Sequence, residues 1–135
     1  MISVVVGSMT EITEKQIGYL QKTLQNDGKA SSNNVALYYL RDELFSRIKN
    51  KEFLSELSIS DTLIMSGGET AYSLLDASGF DYLISGDQIM PLISTGVVIG
   101  GLFNGLHYII KGGSIGEINI YEKMIEYAME NFGTG

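Results

Sequence analysis

The stretch "DTLIMSGGETAYSLLDASG", Asp61 to Gly79, changes its period partway along. Its first part, 61–65, is a short and mostly apolar run of strand length, whereas Ala71, Leu74 and Leu75 recur at helical spacing over 69–78. Gly67 and Gly68 lie between the two. A strand, a glycine turn and a helix make the repeating unit of an α/β sheet with parallel strands. Two residues without Cβ let backbone approach a ligand closely, and the helix that follows aims free N–H groups and its positive end at the same place. A tight turn, with Glu69 and Thr70 suited to the first helical turn, is the simpler local reading, because short glycine motifs are promiscuous. The stretch is neither a Walker A loop nor a G-x-G-x-x-G, and no lysine follows it. If an anion does sit there, Glu69 must face a Mg²⁺ ion, its water or a ribose hydroxyl, since a bare carboxylate repels phosphate.

The same alternation extends in both directions. "ISVVV" (2–6) is a β-branched buried strand closed by Gly7-Ser8. Thr13 and Gln16 have capping-box spacing and predict a helix from Glu14 to about Asn26, with Ile17, Leu20 and Leu24 on one face. "NDGKASSNN" (26–34) reads as an exposed turn and "VALYYL" (35–40) as the second strand. One amphipathic helix or two short ones cover 41–57, with Leu44, Ile48 and Leu57 inward. "FDYLIS" (80–85) is the fourth strand. Glycines then punctuate 86–116, separating the strand-like pieces "GVVIGGLF" and "LHYIIK". A last helix starts near Asn119, with Tyr121, Ile125, Ala128 and Phe132 as its buried stripe. The expected fold is a single layered α/β domain over 1–135, with a mainly parallel sheet flanked by helices. Right-handed crossovers would bring the strand-to-helix loops to one sheet edge, where ligands of such folds sit.

Composition narrows the function classes. A chain of 135 residues with 44% hydrophobic residues can bury a core without staples. Its net charge of −7 argues against general affinity for nucleic acid or an anionic membrane, although a local pocket of N–H groups can still hold an anion. There is no cysteine, which excludes disulfides, thiolate nucleophiles and cysteine metal sites. The start "MISVVVGSM" lacks the basic region of a signal peptide, and no apolar run reaches membrane-spanning length. A cytoplasmic protein is the default expectation.

Two further loops carry candidate ligand groups. In "GSMTEIT" (7–13) Ser8 and Thr10 could offer hydroxyls, against a plain turn capped by Thr13. In "KGGSIG" (111–116) Lys111 could neutralise phosphate while the glycines fold around it, against a flexible connection. His107 stands alone and reads as a partly buried structural residue, with no metal site expected. The charges of 41–56 alternate in sign, as on a solvated helix face, and no catalytic set stands out.

Order and spacing of these loops resemble the four-carbon acid sugar kinases. "GSMTEITEKQI" is similar to that family's G-S-x-S/T-x-x-T-x-x-Q-[IV] stretch and "SGGETA" to its G-G-E-T loop. "GDQIMPLISTG" and "KGGSIG" resemble its G-P-E-I-x-P-G-V-P and K-S-G-N-F-G segments. The resemblance spans about 3–132 and implies the C-terminal nucleotide-binding domain alone, without the sugar-acid domain that precedes it in the family. It implies ATP and Mg²⁺ as cofactors, contacted by Ser8, Gly67, Gly68, Glu69, Thr70 and Gly113, with Lys111 as a further candidate; the catalytic residues stay unknown. A separate sugar-acid-binding domain or chain is the implied partner, and a homo-oligomer is compatible. Leu92 and Ser94 depart from the family's glycine and proline, and Gly112, Ser114 and Ile115 from its serine, asparagine and phenylalanine. Those departures keep a non-catalytic nucleotide- or anion-binding module as the alternative.

Overall fold

The computed structural model describes residues 1–7, 10–25, 34–91, 93–112 and 116–132. In chain order the elements are β1 (Ile2–Val6), α1 (Glu11–Leu24), β2 (Val35–Tyr39), a 3₁₀ turn (Arg41–Glu43), α2 (Leu44–Ile48), α3 (Lys51–Ser58), β3 (Thr62–Ser66), α4 (Gly68–Ser78), β4 (Tyr82–Met90), β5 (Ile93–Ile99), β6 (His107–Lys111) and α5 (Ile120–Phe132). All six strands form one sheet in the order β2-β1-β3-β6-β5-β4. The pairs among β2, β1, β3 and β6 are parallel, while β5 runs antiparallel to both β6 and β4. The expected α/β architecture with a mainly parallel sheet is therefore present.

Strand alternation divides the apolar residues between the two faces, and each face carries its own core. On one, Val4, Val6, Ile64 and Ile109 pack with Ile17 and Leu20 of α1 and with Tyr121 and Ile125 of α5. On the other, Val5, Leu63, Met65 and Tyr108 meet Leu54 and Leu57 of α3, Leu74 of α4 and Phe103. Every residue of β1 and β3 is buried, as for central parallel strands covered on both faces.

Among the bounds that differ from the sequence expectation are those of α1, β4 and β5, the last covering Ile93–Ile99 where the strand-like piece was 96–103. Helix α1 begins at Glu11, and its cap is Thr10, whose hydroxyl accepts from the Thr13 amide at 3.2 Å. Thr13 is itself fully buried inside the helix, and Gln16 turns its amide to the carbonyls of Gly116 and Glu117, so the expected capping box does not form. Strand β4 runs on from Ser85 through Gly86 to Met90, because β5 folds back along it as a hairpin partner. Most of the expected 26–34 turn lies outside the described residues.

Candidate functional site

The four parallel strands end in register. Val6 is paired with Tyr39 on one side and Ser66 on the other, and Ser66 with Lys111, so Tyr39, Val6, Ser66 and Lys111 form a row across the carboxyl edge of the sheet. The chain leaves this row through Gly7, Gly67 and Gly112. The glycine loops singled out in the sequence thus converge at one edge, where open α/β sheets hold their ligands. The β4–β5 hairpin reaches the same level, since Ile93 is the register partner of Lys111.

At the centre of the row the chain turns sharply. Gly67 takes φ 98° and ψ 134°, a conformation that excludes most side chains, and precedes α4 without any side-chain cap. Its amide donates to the Lys111 carbonyl at 2.9 Å, tying the β3 and β6 loops together. No side chain of the described residues caps the first turn of α4, which leaves its amides available to an external acceptor. Space for that acceptor exists, because a Cβ built on Gly68 meets nothing within 4 Å. Gly68 and Glu69 are exposed, whereas Thr70 is buried and turned inward. A Cβ on Gly7 would collide with the Thr70 hydroxyl, so Thr70 is the strut that fixes the β1 loop against the start of α4.

Beneath the loops lies a buried polar cluster. The Tyr121 hydroxyl, brought in by the first turn of α5, donates to Ser66 Oγ at 2.9 Å. Lys111 is fully buried, with Nζ 5.7 Å from the centre of the Tyr121 ring. Burial pulls the Lys111 ammonium down to about 8, so a buried cation persists at neutral pH. Burial also pushes the Tyr121 hydroxyl up to about 12; the Ser66 hydrogen bond opposes this and the neighbouring Tyr39 adds to it. Lys111, Tyr121 and Ser66 thus gather buried polar groups at the strand ends from which the glycine loops leave.

Of the residues expected from sequence, Gly67, Gly68, Glu69, Thr70 and Lys111 stand together at this edge. Ser8 and Gly113 lie outside the described residues. Sequence reasoning passed over Ser66 and Tyr121. Ser66 is the last strand residue before the glycines, the same position Lys111 holds in β6, and that position was the available signal. His107 stacks on Phe132 with ring centres 4.1 Å apart, which agrees with a structural role. It borders a cleft of about 320 Å³ with Ser85, Asp87, Thr95, Tyr127 and Phe132, at the opposite end of β6 from the glycine loops. Among the described residues no group of His, Cys, Asp and Glu could hold a metal ion, and no helix is long and apolar enough to cross a membrane.

The sequence profile of the nucleotide-binding C-terminal domain family matches residues 42–120. Among solved structures, a Bordetella bronchiseptica protein described as a domain of unknown function, DUF1537, superposes with a TM-score of 0.70 at 18% identity. The alignment covers 93% of this chain and 40% of that one, which was crystallised with bound citrate as a domain-swapped dimer. A Haemophilus influenzae protein of DUF1537 aligns with a TM-score of 0.58 at 17% identity, over 97% of this chain and 40% of that one. These similarities establish the fold, and the chain spans about 40% of the length of both relatives. No curated protein matches the chain in sequence.

Proposed function

The chain belongs to the nucleotide-binding C-terminal domain family, and on that premise we propose that it holds Mg-ATP for a kinase acting on a four-carbon acid sugar. The observation that carries this reading is the uncapped start of α4, with open space above Gly68 and a buried lysine behind it. The amides of α4 would take the ATP phosphates, and the Lys111 ammonium would balance their charge from below. Ser8 and Gly113 would complete the loops on either side. A metal there would be held mainly by phosphate oxygens, and Glu69, exposed in the first turn of α4, is the carboxylate that would face it directly or through water. A mainly apolar hollow of about 120 Å³, lined by Ile12, Lys15 and Gln16 of α1 and by Gly116 and Ile118 of the segment before α5, would suit the base. The acid sugar and the group that deprotonates it would come from a separate domain or chain, as the shorter length beside the relatives suggests.

Gly68→Val is the decisive variant, because its side chain fits the fold but fills the space meant for phosphate. Millimolar ATP with Mg²⁺ should raise the melting temperature of the wild type by a few degrees, through mass action on the folded state. Gly68→Val should melt close to the wild type without ligand and gain nothing from ATP. Unchanged ATP stabilisation of Gly68→Val would remove the site assignment, and no stabilisation of the wild type by any nucleotide would remove the function. A second reading, a nucleotide-binding module without catalysis, is favoured by Gly112, Ser114 and Ile115 standing where the kinases have serine, asparagine and phenylalanine. An assay of ATP turnover with a companion sugar-acid domain separates the two.

A further inference from the structure

Arg41 follows β2 at the same carboxyl edge, and it is the only non-glycine residue with positive φ among the described residues, at 53°. That conformation is disfavoured for a side chain and persists where the surroundings impose it. Of the surface cations, Lys15, Arg47 and Lys123 each pair with a carboxylate, whereas Lys22, Lys49 and Lys51 have no such pair among the described residues. Arg41 lies with its guanidinium 5.1 Å from the centre of the Tyr39 ring, and no carboxylate of the described residues pairs with it. The ring face satisfies the charge but leaves guanidinium donors open.

Tyr39 has the complementary peculiarity. Its hydroxyl is buried with no hydrogen-bond partner among the described residues, an arrangement that costs stability and that phenylalanine would avoid. It is near enough to Tyr121 to act on the ionisation of that hydroxyl, and it stands in the row with Val6, Ser66 and Lys111. A strained cation over the ring of a tyrosine whose hydroxyl is unmatched, at the end of the row that leads to Gly67, has the chemistry of a receptor for an oxyanion. The planar guanidinium can donate two parallel hydrogen bonds to phosphate or carboxylate, and the Tyr39 hydroxyl, buried in the unliganded protein, would donate a third once the ligand displaces the atoms that cover it.

We propose that Arg41 and Tyr39, on whose ring it rests, form an oxyanion subsite at the carboxyl end of β2. The subsite rests on the reading of this edge as a nucleotide site, and it is separate from the start of α4. The ends of β2 and β3 are two strand spacings apart, about 10 Å. The oxyanion at Arg41 is therefore a different group from the one at Gly67-Gly68. Another phosphate of the same nucleotide has the required chemistry, and so does the carboxylate of the acid sugar.

Calorimetry and thermal shift with ATP, inorganic tripolyphosphate and threonate test this on the full chain and on Arg41→Gln, Arg41→Gly and Tyr39→Phe. Arg41→Gly should raise the melting temperature of the unliganded protein by relieving the left-handed backbone. Tyr39→Phe should leave that temperature unchanged or higher, yet both it and Arg41→Gln should weaken at least one probe about tenfold. A loss confined to ATP and tripolyphosphate assigns the oxyanion as phosphate, and a loss confined to threonate assigns it as carboxylate. Affinity lost without stability lost is what a packing role for Tyr39 does not produce. If Arg41→Gln and Tyr39→Phe bind every probe like the wild type while Gly68→Val abolishes ATP binding, the subsite is overturned and the nucleotide reading stands. A wild type that binds none of the probes overturns both.

Discussion

Gly7, Gly67 and Gly68 look alike in the sequence and differ in what the fold asks of them. At Gly7 an added methyl group runs into Thr70, and at Gly67 the left-handed φ opposes any side chain, whereas Gly68 opens on free space. Gly7→Ala and Gly67→Ala should each cost about 1–3 kcal/mol in urea unfolding, against a much smaller loss for Gly68→Ala. The turn at the glycine pair was legible because the apolar period changes from strand to helix across it. The burial of Lys111 was not, since residue type does not say under which helix a strand's last side chain will lie. Glu122 makes the same point more sharply. It sits in the first turn of α5, is 8% exposed, and burial pushes its carboxyl up to about 7, with its own backbone amide opposing and Glu126 adding. A folded value above the unfolded 4.5 means that the native state binds more protons between the two, so stability falls as pH rises from about 4.5 to 7. Glu122→Gln should therefore gain about 2 kcal/mol at pH 8, allowing for residual solvent screening, and almost nothing at pH 4.5. Chemical denaturation at the two pH values reads the difference directly.

Among the elements, those legible in sequence had a period strong enough to need no partner. The apolar runs of β1 and β3 and the stripes of α4 and α5 fall where expected. The start of α1 was misplaced because two threonines three apart compete for the cap, and only the tertiary structure decides between them. Gln16, which would have completed a box with Thr13, binds the segment before α5 instead. Thr10→Ala should accordingly cost about 1 kcal/mol, the usual loss of an N-cap hydroxyl, and circular dichroism should show the first turn of α1 fraying. The extent of β4 was hidden for a related reason. Gly86 and the polar residues after it have little strand preference of their own, and they extend only because β5 pairs with them. That hairpin matters to the site, since it carries the chain back to the level of Lys111 beside the row.

At the scale of the whole molecule, phosphoryl transfer needs two substrates brought into line and a group to accept the proton of the attacking hydroxyl. On the proposed function, the glycine loops, the α4 amides and the buried lysine would serve the anionic donor. The carboxylate they bring to the edge is Glu69, which stands beside the place where the phosphates would lie, an awkward position for a base acting on a separate sugar hydroxyl. The chain also spans about 40% of the DUF1537 proteins that share its fold, so a companion region has ample length to supply the acceptor. The order of the loops pointed to such a division only by resemblance, because the two cores and the register of the row are independent of what lies above the edge. The expected outcome is that this protein binds ATP yet releases no ADP when threonate is added alone, as followed by a coupled assay. Turnover should appear only when a sugar-acid-binding domain of the family is supplied in trans, and it should vanish again with Gly68→Val on this chain. Turnover by the chain alone would instead put the acceptor on this same edge, with Arg41 as the cation nearest at hand for its carboxylate.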